Sequence, residues 1–200
     1  MKRTSVIMIG VAVTMLFCGC QEKQKSIGFL SDYSKLERIT DQTLRYLPSR
    51  SLRDYSSFII DPVTVKFYSQ STINKVSSQD KDHLSQYMYS EIRRVIYGRY
   101  KYAWKPGPGV ARVRIAITDV KESKTMQNLM PITKMAGTGL GGASIEAEIV
   151  DSQTGKQIAA IIETQSGNRM SFDGLSKWGD TETVMKDWAK RFRQRLDEAN

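Results

Sequence analysis

The chain is 200 residues long, carries a formal net charge of +9 at pH 7, and contains two cysteines and one histidine. A chain of this length makes one domain that buries roughly 70% of its unfolded surface, so it has a core without needing disulfides. A single histidine excludes a multi-histidine metal centre, and any Ser/His/Asp triad or zinc site would have to use His83.

The N-terminus reads MKRTSVIMIGVAVTMLFCGC. Lys2 and Arg3 give a positive start, and Ser5 to Phe17 form an apolar run shorter than the roughly 20 residues a membrane-spanning helix needs. This is the pattern of an export signal. Its end, Phe17-Cys18-Gly19-Cys20, resembles the lipobox of bacterial lipoproteins, with Phe17 in the place usually held by Leu. The resemblance implies cleavage between Gly19 and Cys20, a diacylglycerol thioether on the Cys20 sulfur, and a further acyl chain such as palmitate on the new amino group. Residues 1–19 are then a lipoprotein signal peptide, 20–27 a lipidated tether and 28–200 one α/β domain. Plain secretion, with Cys20 incidental, is the alternative. Two or more acyl chains anchor stably, at about 0.8 kcal/mol per buried CH2. Gln21 stands where an Asp commonly marks inner-membrane retention, which points to the outer membrane, facing the periplasm; the inner membrane is the alternative. Lys2 and Arg3 account for only two of the positive charges, so the exported remainder stays basic. Such a chain meets anionic lipid headgroups and cell-wall polymers, not nucleic acid. A solubilising face explains the same charge.

Along the exported part, residues 28–57 are rich in turn formers and weakly periodic. They read as an irregular arm with one or two helical turns, packed through Phe29, Leu30, Tyr33 and Leu36. Ile59, Val63, Val65 and Phe67 alternate as in a strand, with Pro62 forcing an edge position or a bulge. Ser77, Ser78 and Asp80 cap a helix whose stripe is Leu84, Met88, Ile92, Val95 and Ile96, ending near Gly98. Tyr100, Tyr102 and Trp104 then alternate with basic residues before KPGPG breaks the chain. Ala111, Val113, Ile115 and Ile117 define a strand with Arg112 and Arg114 on its opposite face. Ile145, Ala147 and Ile149 alternate with Glu146 and Glu148, and the Asp151–Gly155 turn returns the chain through Ile158, Ala160 and Ile162. Asp180 caps a last helix with Val184, Met185, Trp188, Phe192 and Leu196 on its apolar face and basic residues over the rest. A basic helix of this kind either lies on a membrane or packs on a sheet. The expected fold is a two-layer α/β (α+β) sandwich of order β-α-β-β-β-α, with a mostly antiparallel sheet and both helices on one face.

Four features invite chemistry. Gly137, Gly139 and Gly142 have the spacing of a dinucleotide-binding loop, but the following ASIEAEIVD has period two and makes a strand where the fingerprint requires a helix. No small-molecule cofactor is expected. The whole Ser123–Gly142 connection is long, Met- and Gly-rich and poor in charge, which is the character of a functional or mobile loop. Met135, Gly137, Gly139, Leu140 and Gly142 are its candidate interaction residues, for a protein partner or a second copy. Tyr100, Tyr102 and Trp104 form a candidate patch for stacking on glycans at the cell wall or meeting anionic lipid; an edge strand is the commoner explanation of such a run. Glu146 and Glu148 share a face as an acid–base pair would, and cross-strand ion pairs with Arg112 and Arg114 are the simpler account. His83 reads as a solvated helix residue.

The stretches GFLSDYSKL, FIIDPVTV, GPGVARVRIAITD, SIEAEIVDSQTGKQIAAII and KWGD before a Trp-bearing helix resemble the bacterial lipoproteins catalogued as domain of unknown function 3313 (DUF3313), from about Ser26 to the C-terminus. That resemblance implies an exported lipoprotein with one α/β domain and no established activity. The expectation is a non-enzymatic scaffold or accessory subunit of an envelope assembly, held to the membrane through Cys20.

Overall fold

Period-two runs, one long helical stripe and one basic amphipathic helix assemble into a mixed α/β sandwich in the structure, a computed structural model that describes residues 26–48, 52–68, 75–124, 139–168 and 175–199. The elements in chain order are β1 (Glu37–Thr40), β2 (Thr43–Tyr46), β3 (Ser57–Ile60), β4 (Thr64–Val65), α1 (Ser78–Ile96), β5 (Lys101–Tyr102), β6 (Val110–Lys121), β7 (Gly142–Asp151), β8 (Gln157–Ser166) and α2 (Gly179–Ala199). The eight strands form one sheet in the order β1-β2-β8-β7-β6-β3-β5, with β4 also paired to β6. The β6-β7-β8 centre is antiparallel, as the sequence predicts, while β3 and β4 run parallel to β6.

Both helices pack on one face of the sheet. The α1 stripe (Leu84, Met88, Ile92, Val95, Ile96) is buried, Ser77 Oγ accepts from Asp80 N at 3.1 Å to cap its start, and Gly98, with φ of 87°, follows its end. Val184, Met185, Trp188 and Leu196 of α2 are buried against the same core, so α2 packs on the sheet. Ala111, Val113, Ile115 and Ile117 of β6 supply the sheet side. Phe58 is fully buried, edge-on to Tyr100 at 5.6 Å and to Phe192 at 6.2 Å between ring centroids.

Three local readings are corrected. Residues 37–46 form the β1-β2 hairpin, not helical turns. Leu44 lies opposite Ile162, so pairing to β8 holds a stretch whose own periodicity is weak. The expected packing of Phe29, Leu30, Tyr33 and Leu36 is present, in a small cluster with Ala160 and Ile162. The strand around Pro62 is two short pieces, and the break shifts the alternation, burying Phe58 in place of Ile59, with Val63 and Phe67 buried beyond it. A register shift after Ile149 leaves Ile158 as an extra residue on β8, so Ile158 packs toward the helices while Ala160 and Ile162 face the other way.

Candidate functional site

The outer face of the sheet, away from the helices, is where polar chemistry concentrates. β7 lies between β6 and β8, so the face carrying Glu146 and Glu148 is the middle of the sheet. Both residues are almost fully buried, at 0% and 1% exposure. A buried carboxylate costs several kcal/mol unless hydrogen bonds and charge compensate it. The compensation comes from the chain's N-terminal segment. Ile27 N donates to Glu146 Oε1 at 2.6 Å, Phe29 N to Oε2 at 3.2 Å, and the Tyr33 hydroxyl to the same oxygen. Ser31 N and Oγ donate to Glu148 Oε2 at 2.9 and 2.7 Å, Gln157 Nε2 donates to it at 2.9 Å, and Arg114 Nη1 lies 2.5 Å from Oε1. Alternate backbone amides of residues 27–31 are thus gripped by two carboxylates more than 110 positions later in the chain. Burial, and then its bond to Glu146, pushes the Tyr33 phenol up to about 12. The Arg114 guanidinium stacks 5.1 Å from the Phe29 ring centroid and closes the latch.

The expected cross-strand pairing is therefore half right. Arg114 opposes Glu148 in register and binds it, but Arg112 binds Asp61 at 2.6 Å instead, because the break after β3 brings that acid alongside. Glu146 has the N-terminal segment as its partner. The sequence signal for this was the placement of two acids in a central strand opposite two arginines, only one of which they engage.

The glycine-rich loop end has a packing explanation. Gly142 opens β7, a strand, as expected. A Cβ on Gly141 would sit 2.7 Å from Ser123 Oγ, and one on Gly142 would sit 2.6 Å from the Gln165 carbonyl oxygen. Gly139, Leu140 and Gly142 are buried, which places these three candidate contact residues inside the fold. Asp180 does not bond its own helix start: its Oδ2 accepts from Ser123 Oγ at 2.9 Å and from Gly141 N at 2.8 Å, pinning the two ends of the long connection together. Met135 and Gly137 lie outside the described residues, as do Gly19 and Cys20.

The aromatic patch is dismantled. Tyr100 is buried at 9% exposure, its hydroxyl 2.9 Å from Asp197 Oδ1, and the Tyr102 hydroxyl donates to the Arg93 carbonyl. Only Trp104 is open, at 85%. Tyr100 lies in the short connection from α1 to β5, where its N–H bonds the Ile96 carbonyl at 3.2 Å and its ring packs on Phe58. His83 is exposed and joins the two helices through Glu182 at 2.7 Å. Among the described residues no group of three or more His, Cys, Asp or Glu side chains is arranged to hold a metal. No described helix is long and apolar enough to cross a membrane.

On the opposite face, between the helices and the β2-β8 side of the sheet, lies a cleft of about 300 Å3. Ile145, Ala147 and Ile161 line it from the sheet, and Met88, Trp188 and Phe192 from the helices. Arg45, Arg191 and Arg195 also line it. Arg191 bonds Glu163 at 2.7 Å, and Arg195 bonds Glu198 at 2.6 Å. Trp188 is 5% exposed, and its Nε1–H has no acceptor among the described residues. Spacing in the sequence puts Trp188 in the apolar stripe and the arginines on the solvated face, and carries no sign that the sheet leaves room between them.

Comparison with solved structures finds a distant likeness in the PelC dodecamer of Paraburkholderia phytofirmans (11% identity, TM-score 0.44, 77% of this chain and 95% of that one). It is found also in the hypothetical protein CT253 of Chlamydia trachomatis (10%, 0.39, 71% and 98%). Protein XCC0632 of Xanthomonas campestris is a third (10%, 0.40, 73% and 86%). These likenesses transfer no activity or assembly to this chain. No curated protein sequence matches it. The family model described as "Protein of unknown function (DUF3313)" matches residues 25–192, from the latch segment through most of α2, and the chain belongs to that family.

Proposed function

We propose that the chain is a lipid-anchored envelope protein that serves an outer-membrane or periplasmic assembly as a non-enzymatic scaffold or accessory subunit. The latch carries this reading. Ile27 follows the lipobox cysteine by seven residues, a reach of at most about 25 Å. A segment bonded into the sheet at Ile27, Phe29 and Ser31 would hold the domain at a short, defined distance from the bilayer. The carboxylate pair that a hydrolase would use is occupied by backbone amides, Tyr33 and Arg114, which supports a structural role for it. Glycan stacking loses support with Tyr100 buried and the half-buried Tyr102 bonded to the Arg93 carbonyl.

Two measurements in cells test the reading. Labelled palmitate should mark the wild-type chain and not Cys20→Ser; label retained in Cys20→Ser would overturn the anchor. With a tag after Asn200, crosslinking in intact cells should capture a defined envelope protein or a second copy. Deleting residues 125–138, whose flanks Asp180 pins, should abolish that capture while the fold survives. Capture of the monomer alone, where a known envelope complex is recovered, would overturn the accessory role.

A further inference from the structure

We propose that the cleft between the helices and the β2-β8 side of the sheet binds a single-chain anionic amphiphile, with its acyl chain against the apolar walls and its acidic head among the arginines. At about 300 Å3 the space is at the lower end of small-molecule sites. Most of its walls are apolar, Ile145, Ala147, Ile161 and Phe192 among them, and suit an acyl chain; Thr43 and Tyr46 are polar neighbours on the β2 side. The arginines define the head. Arg45 has no ion-pair partner among the described residues, Arg191 and Arg195 each face one carboxylate, and the remaining acid of the lining, Glu148, is bound by Arg114, so the charge of Arg45 is left unbalanced.

Trp188 adds an independent observation. Buried donors in native folds almost always find an acceptor; this indole N–H has none among the described residues. Trp188, Arg191, Phe192 and Arg195 fall at i, i+3, i+4 and i+7, one face of α2. A carboxylate or phosphate placed there would offer oxygens to the guanidinium groups, and to the indole N–H after a local shift that uncovers it. An uncharged lipid would leave Arg45 without a counterion. Residues 27–31 are not the occupant, because Glu146 and Glu148 hold them on the opposite face. The inference rests on the cleft alone and stands whether or not Cys20 is acylated.

Native mass spectrometry of the full chain, extracted in mild detergent, tests this with oleate and lysophosphatidylglycerol as separate probes. A one-to-one adduct that vanishes under denaturing conditions is expected with at least one of them. Oleate alone would identify a free fatty acid as the ligand type, and lysophosphatidylglycerol alone a phospholipid head. Ile161→Trp, which fills the cleft, should weaken the adduct about tenfold or more, and Trp188→Phe, which keeps an aromatic side chain but removes the N–H with the fused ring, by roughly threefold to tenfold. Arg45→Glu should act like Trp188→Phe, and Lys156→Glu, in the β7-β8 turn, should change nothing. If Ile161→Trp does not fold, the other two variants decide. No adduct with either probe, an adduct indifferent to Trp188→Phe and Arg45→Glu, or equal binding of uncharged monoolein would overturn the proposal.

Discussion

Ile145, Ala147 and Ile149 on one side of β7 are covered by two helices; Glu146 and Glu148 on the other side of the same strand are covered by the segment from Ile27 to Tyr33. The helix side is closed by apolar area, which is non-directional and tolerates small shifts. The latch side is closed by hydrogen bonds to buried charge, which hold one geometry and fail when a partner is lost. One strand therefore serves two kinds of cohesion, and they should break differently.

The largest effect belongs to the helix side. Phe58→Ala should destabilise the whole domain by about 3–5 kcal/mol, since Phe58 is fully buried and packs edge-on against Tyr100 and Phe192. Urea unfolding should show a lower midpoint in a single transition. On the latch side, Glu148→Ala leaves Arg114 and Gln157 without their carboxylate. Arg114 is about a third exposed and Ser31 can turn to water, so the expected cost is lower, about 2–3 kcal/mol. Its signature should be local: limited proteolysis should cut near residues 26–33 under conditions that leave the wild type intact, with α1 and α2 unaffected. The smallest effect is a pH dependence. The Tyr33 phenol is raised from 10.0 to about 12 in the fold, so its contribution to stability is complete below pH 10 and is lost as pH rises toward 12. Ionised, it would face the Glu146 carboxylate. Tyr33→Phe should remove that alkaline step from a stability profile while leaving the rest of the curve in place.

The same division explains how much the sequence reveals. The helix side is legible because local periodicity states it: Leu84, Met88, Ile92, Val95 and Ile96 declare α1, and Ala111 to Ile117 declare the buried side of β6. The family resemblance and the α/β class follow from the same stretches. The hairpin is illegible because all four residues of β1 are exposed, and the stretch is a strand only through its pairing in the sheet. The bulge at Ile158 is set by cross-strand register, which no single segment encodes. The latch pairs amides near residue 29 with acids near residue 147, and backbone amides leave no mark in a sequence. The cleft is illegible for a related reason: spacing puts Trp188, Arg191 and Arg195 on one helix face, but the gap beside them depends on how α2 meets β2 and β8.

Amide hydrogen exchange read residue by residue tests the central claim, that two buried carboxylates bind the N-terminal segment to the sheet. In the wild type, the amides of Ile27, Phe29 and Ser31 should be protected. In the Glu146→Ala, Glu148→Ala double variant they should exchange freely while the α1 and β6 amides stay protected. Unprotected amides at these three positions in the wild type, or protection that survives in the double variant, would contradict the account.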